Sequence, residues 1–94
     1  MLFLLVVTPF AFAQEYNPNE SFEIIGKIKH FSYEGGFYGI EADNGAEYKP
    51  INLTSSFKIE GLGVRARARF IKGGSFWQSW GVPIEIIEIE RYTE

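Results

Sequence analysis

Five stretches of alternating polar and apolar residues, joined by glycine-rich turns and one connection without alternation, predict an all-β domain. The connection follows the third strand and fits a short helix. The order of three strands, a short helix and two strands is typical of a five-stranded OB-like Greek-key barrel. An SH3-like barrel also has five short strands and is the alternative. The helical connection favours the OB-like barrel.

Residues 1–13 carry no charge, are nearly all apolar and end in Ala11-Phe12-Ala13, a small-x-small pattern that precedes signal-peptidase cleavage. A helix of this length spans only ~20 Å of the ~30 Å hydrocarbon core, so we expect no stable membrane anchor. No basic residue precedes Lys27, so either the true start lies upstream of Met1 or the leader is atypical. We predict a signal peptide over 1–13, a disordered lead-in over 14–20, an OB-like β-barrel domain over 21–94, and a periplasmic or secreted location.

The composition excludes several classes of function. Nine basic and twelve acidic residues give a net charge of −3, which makes a nucleic-acid partner unlikely. The sequence contains no cysteine, and this excludes disulfides, thiolate metal sites and a thiol nucleophile.

The first strand is predicted over Phe22–Phe31. Both of its faces are partly apolar and Gly26 lies in the middle, as expected for a long bent strand that contributes to two parts of a barrel. The second strand covers Gly36–Ala42 and the third Ala46–Ile51. Asp43-Asn44-Gly45 between them is a strong hairpin signal.

The hairpin register follows from parity. A two-residue loop would set Ile40 opposite Lys49 and so pair a core residue with a solvent-exposed one. A three-residue loop, in which Gly45 supplies the positive φ, sets Ile40 opposite Tyr48, so we predict this loop.

Residues 52–58 lack alternation, and Asn52 or Thr54 could cap a turn or two of helix that Gly61 would end. The fourth strand is predicted over Leu62–Lys72 and the fifth over Pro83–Tyr92, with a tryptophan-rich loop over 73–82 between them.

Strand 4 alternates small apolar residues with Arg65, Arg67 and Arg69. One bulge near Ile86 in strand 5 would set these arginines opposite Glu90, Glu88 and Glu85, and Ala68 opposite Ile87. Such a row of pairs keeps a strand soluble and fixes its register. A stripe that binds a polyanion is the alternative interpretation.

Four aromatic residues are the candidate ligand-binding set: Tyr33, Phe37, Trp77 and Trp80. In an OB barrel the face of strands 2 and 3 and the loops 1–2 and 4–5 form the usual binding surface, where flat rings can stack on a ligand. The alternative is that Phe76 and Trp80 plug the open end of the barrel. We expect Trp77 to be exposed and Trp80 to be buried.

No catalytic residue, metal site or cofactor is predicted. His30 is the only histidine, so it has no second imidazole with which to form a metal site. Asp43-Asn44-Gly45 lacks the later ligands of a calcium loop and is predicted to be a turn. Asn52-Leu53-Thr54 fits a glycosylation sequon, which counts only in a pathway that glycosylates.

Several motifs together resemble one family: Gly35-Gly36-Phe37-Tyr38-Gly39-Ile40, Asp43-Asn44-Gly45, Tyr48-Lys49-Pro50-Ile51-Asn52-Leu53, Gly61-Leu62-Gly63-Val64 and Trp80-Gly81-Val82-Pro83-Ile84-Glu85-Ile86. Over roughly residues 22–91 the chain is similar to small exported bacterial OB-fold-like domains, often lipoproteins, of uncharacterised function. This resemblance implies the fold and an exported location, and it implies no catalytic residues.

The leading hypothesis for function is a small non-enzymatic binding or interaction module of the periplasm or the extracellular space. Its partner would be a protein, a peptide or a saccharide that contacts the aromatic residues. The alternative is a structural or inhibitory accessory protein that acts on a protein partner through an exposed sheet edge or the 73–82 loop.

Overall fold

The computed structural model describes residues 20–71 and 80–93. Five strands form a closed barrel, namely β1 (Phe22–Phe31), β2 (Phe37–Ala42), β3 (Glu47–Pro50), β4 (Gly63–Phe70) and β5 (Val82–Arg91). The predicted signal peptide and nearly all of the predicted lead-in lie outside the described residues, as does Lys72, the predicted end of the fourth strand.

The strands follow the order β1-β2-β3-β5-β4, and β4 returns to pair with β1. Three consecutive strands with the fourth beside the first are a Greek key. β5 closes the barrel by pairing parallel to β3 and antiparallel to β4. The predicted class, an all-β OB-like barrel of five strands, is confirmed.

β1 belongs to two parts of the barrel, as predicted. Its first half pairs with β4 and its second half with β2, and Gly26 faces both Ala42 and Val64. A Cβ on Gly26 would collide with the carbonyl oxygen of Glu41. Glycine is therefore required where β1 passes from one neighbour to the other.

The core is small and aliphatic. Its buried side chains come from alternate positions of β1, β2, β4 and β5: Ile24, Ile28, Ile40, Ala42, Val64, Ala66, Ala68, Ile84 and Ile86. At one end Phe22 stacks on Phe70 with 4.5 Å between ring centroids, and Tyr48 lies 5.6 Å from Phe22. These three rings pack against the core at that end.

The hairpin between β2 and β3 has the predicted register. Ile40 lies opposite Tyr48, Ala42 donates its N–H to the carbonyl of Ala46 at 2.8 Å, and Gly45 has a φ of +93°.

The predicted helix between the third and fourth strands is a single 3₁₀ turn over Ser55–Phe57. Thr54 occupies the N-cap position without a side-chain capping bond, and the turn ends before Gly61. Asn52 does not cap it either, because its side chain bonds to β5: its Nδ2 donates to the carbonyl of Ile86 at 2.9 Å and its Oδ1 accepts the N–H of Ile86 at 2.8 Å.

β4 and β5 pair as predicted on both sides of one irregularity. Arg65 lies opposite Glu90, Arg69 opposite Glu85, and the register shifts between Arg67 and Ala68. The predicted pairing of Ala68 with Ile87 is wrong, because Ala68 lies opposite Ile86.

The extra residue of the bulge is Ile87. Ile86 is 9 % exposed and Ile87 is 45 % exposed. Asn52 forms hydrogen bonds with both the N–H and the carbonyl of Ile86, so the side chain of Ile86 points inward like that of Ile84. The alternation of inward and outward side chains shifts by one residue only after Ile86.

The arginines of β4 form the predicted row of charge pairs in two of three positions. Arg65 Nη2 lies 3.0 Å from Glu90 Oε2, and Arg69 Nε lies 3.1 Å from Glu85 Oε1. Arg67 faces Glu88 in the register but donates to Ser21 Oγ at 3.1 Å. This engagement favours the charge-pair interpretation over a polyanion stripe.

Candidate functional site

The site lies on the outside of the barrel, where β1 and β2 run side by side. Outward-facing positions on these strands are Phe31, which pairs with Phe37, and Lys29, which pairs with Gly39. The inward pair that follows Lys29 and Gly39, Ile28 with Ile40, is fully buried in the core. Residues on the outward face are therefore not needed to fill the barrel.

Four rings gather on this surface, and we call Phe31, Tyr33, Phe37 and Trp80 the aromatic face. Phe31 stacks on Phe37 with centroids 4.9 Å apart and an interplanar angle of 25°. Tyr33 meets Phe37 edge-on at 5.5 Å. Trp80 lies 4.7 Å from Phe31 and 6.1 Å from Phe37. Such offset and edge-to-face pairs hold rings in fixed relative positions.

A turn positions Tyr33 beside Phe37. Gly36 donates its N–H to the carbonyl of Tyr33 at 2.9 Å, and Glu34 and Gly35 both have positive φ. The turn brings β2 back along β1 within a few residues and leaves the side chain of Tyr33 46 % exposed. Tyr33 is thus the most open ring of the aromatic face.

Trp80 lies directly over Gly39. A Cβ on Gly39 would collide with the six-membered ring of the indole. The indole ring therefore packs directly on the backbone of β2 at Gly39. Such a close approach is a common reason for a glycine within a strand. Trp80 is partly buried by this contact.

The partial burial of Trp80 does not come from the interior of the barrel. Trp80 packs against the outer face of β2, and the residues packed against the core do not include it. The sequence interpretation of Trp80 as a plug fails because Gly39, an outward position, offers the indole a flat surface outside the barrel. Phe76, the other predicted plug residue, and Trp77 lie outside the described residues.

Lys49 adds a positive charge to the aromatic face. Its Nζ lies 4.2 Å from the centroid of Phe37, the geometry of a cation–π contact. Lys29 faces outward beside Gly39, whereas Glu41 and Glu47 pair at the other end of the same surface. Lys29 and Lys49 therefore place two cations near the rings, whereas Glu41 and Glu47 lie farther along the two strands.

Three of the four predicted site residues come together here: Tyr33, Phe37 and Trp80. Sequence reasoning missed Phe31, Gly39 and Lys49. A strand-interior glycine directly after Phe37 and Tyr38 was the available signal for Gly39. The hairpin parity that set the β2–β3 register also places Lys49 on the outer face. Phe31 needed the β1–β2 register, which no short turn signal specified.

Within the described parts of the chain, no group of three or more histidine, aspartate and glutamate residues is arranged to hold a metal ion. No helix there has the length and apolar character needed to cross a membrane.

Comparisons with protein-family models, with curated proteins and with solved structures find no match for this chain. The similarity to small exported bacterial domains therefore stays a prediction from the sequence motifs.

Proposed function

We propose that this protein is a small exported, non-enzymatic binding module whose aromatic face contacts its ligand. The observation that carries the proposal is the placement of Tyr33 and Trp80 outside the barrel, where they add nothing to the core. Aromatic side chains held in fixed positions on a surface supply large contact area at low entropic cost, which makes them effective binding residues.

The fold supports the same proposal. The aromatic face uses the end of β1, the loop between β1 and β2, the outer face of β2 and Trp80, which lies two residues before β5. This is the region in which OB-like barrels bind their ligands. A periplasmic or secreted location, expected from residues 1–13, would place the ligand outside the cytoplasm.

The alternative function is an accessory protein that acts through an exposed sheet edge or the 73–82 loop. Most of that loop lies outside the described residues, and the sheet edge has less support than the aromatic face. Each of the five strands pairs with two neighbours. The described barrel therefore presents no complete strand edge for a partner to extend.

Gly39→Ala is the sharpest test, because the added Cβ displaces Trp80 while the inward residues of β2 keep their places. Glu41→Ala, on the same outward face of β2, is the matched control. Both variants and the wild type would be immobilised and exposed to a periplasmic extract, with bound material identified by mass spectrometry. We expect a binding partner that the wild type and Glu41→Ala retain and Gly39→Ala loses. Equal retention by all three proteins would rule out the aromatic face.

A further inference from the structure

A cleft of about 440 Å³ adjoins the aromatic face. It lies between the β1–β2 turn and the segment that follows β3, and Phe37 belongs to both the cleft and the aromatic face. The walls include His30, Tyr38, Lys49, Ile51 and Lys58. We call this the basic cleft.

The cleft opens because β2 and β3 separate. Their paired positions are Ile40 with Tyr48 and Glu41 with Glu47. The next inward position of β3 is Pro50, which has no N–H to donate. β3 instead pairs with β5 as far as Pro50 and Ile84. The first residues of β2 therefore have no paired strand on the β3 side, and a gap remains there.

The charge of the cleft is opposite to that of the whole chain. Lys49 and Lys58 line it, together with the imidazole of His30, and its lining residues include no carboxylate. The nearby carboxylate of Glu60 accepts the backbone N–H of His30 at 2.6 Å. By contrast, the comparable groove beside β4 is lined by Glu23, Glu88 and Glu90 as well as by Arg65 and Arg67. In a chain of net charge −3, a concave site whose lining includes lysines and no carboxylate attracts anions selectively.

We propose that the basic cleft binds the carboxylate or sulfate group of an acidic saccharide whose sugar ring lies against Tyr33 and Trp80. The inference rests on the proposed function, and it adds the chemical class of the ligand. Sugar rings present flat C–H surfaces that pack on aromatic rings, and an acidic sugar carries its charge within a few ångströms of that surface. The hydroxyl of Tyr38 and the imidazole of His30 supply hydrogen-bonding groups for sugar hydroxyls.

A nucleic acid fits these observations less well. A nucleic-acid strand carries a charge on every nucleotide and requires a basic track along its length. The arginine row of β4 is engaged with Glu90, Glu85 and Ser21. The lysines at the aromatic face and the cleft are few and do not form a continuous track, which suits a short ligand with isolated charges.

The test compares probes that differ only in charge. Trigalacturonic acid would be titrated beside its methyl ester, and dextran sulfate beside dextran, with tryptophan fluorescence and calorimetry as readouts. Lys58→Gln removes an exposed cation from the cleft, and Lys27→Gln removes an exposed cation of β1 that does not line it. We expect an acidic probe to bind, its neutral counterpart to bind at least about tenfold more weakly, and Lys58→Gln to lose about tenfold in affinity while Lys27→Gln is unchanged.

The two acidic probes distinguish a carboxylate from a sulfate, and binding of either supports the proposal. The proposal would be overturned by equal affinity for charged and neutral probes, by equal losses in the two lysine variants, or by no binding of either acidic probe. An oligothymidylate is titrated as the nucleic-acid control, and tighter binding of this probe would also overturn the proposal. In each of these cases, a partner that Gly39→Ala loses in the extract experiment would still support the proposed function. Lys58→Gln could weaken binding of the acidic probe while Gly39→Ala leaves it unchanged. The cleft would then stand as an anion site, but the proposed role of the aromatic face and the stacking of the sugar ring would both be contradicted.

Discussion

Asn52 and Glu60 show how single side chains complete a barrel whose strands have unequal lengths. β3 ends at Pro50, and the carboxamide of Asn52 then supplies both the donor and the acceptor that Ile86 would otherwise lack. The carboxylate of Glu60 accepts the N–H of His30 where β4 no longer accompanies β1. Both side chains satisfy backbone groups that would otherwise have no protein partner at the strand ends.

Asn52→Ala should destabilise the fold by about 2–3 kcal/mol, because it removes two hydrogen bonds and leaves partly buried backbone groups unpaired. Asn44→Ala is the control: its side chain accepts one exposed N–H, that of Ala46, at 3.0 Å, and its loss should cost less than about 1 kcal/mol. Urea unfolding of both variants measures the difference. Similar losses in the two would mean that Asn52 does not hold β5.

Burial raises the pKa of the Tyr48 hydroxyl above its ordinary value. Ionisation is therefore harder in the folded state than in the unfolded state, so stability is fully present below a pH of about 10 and falls as the pH rises through the folded pKa. Tyr48→Phe should reduce this alkaline loss. Melting temperatures of wild type and variant across the alkaline range, with spectrophotometric titration of the phenol, provide the measurement. Parallel curves for the two proteins would contradict the assignment.

At the scale of elements, β4 carries two different surfaces on one strand. Ala66 is 3 % exposed and lies opposite Ile89, whereas Arg67 lies on the outward face. The strict alternation of small apolar residues and arginines made this strand predictable from the sequence. The register of β5 was harder to predict, because the position of its bulge depends on Asn52, which lies more than thirty residues away in the sequence.

Ala66→Glu should unfold the barrel, because it buries a charge with no partner against the core. Arg67→Glu should leave the fold intact at a cost on the order of 1 kcal/mol, since it disturbs only exposed contacts. Circular dichroism and thermal unfolding of the two variants check this. Equal destabilisation would show that the two faces of β4 are reversed.

For the whole molecule, local signals predicted the strand number, the β2–β3 register and most of the β4–β5 register. The alternation of apolar residues and the Asn44-Gly45 turn act over a few residues, so a single sequence contains them. The site was predicted only in part. The position of Trp80 depends on a contact between the segment that leads into β5 and Gly39 of β2 on the outside of the barrel, and no local pattern specifies this contact.

Export is predicted at the scale of the whole chain. Mass spectrometry of material from the periplasm or the culture medium should find a mature N-terminus at Gln14 or within a few residues of it, because Ala11-Phe12-Ala13 precedes that position. Recovery of exported protein that retains residues 1–13 would contradict cleavage there.

The dual pairing of β1 has a consequence for the order in which the barrel forms. The β1–β2 and β2–β3 pairings join neighbours along the chain, but β1 meets β4 about forty residues later, and β3 meets β5 across a similar separation. Long-range pairings are slow to form because a large loop must close before the contact stabilises it. The first three strands expose one edge of β1 until β4 pairs with it, so the barrel cannot close before β4 and β5 have both been added to the sheet.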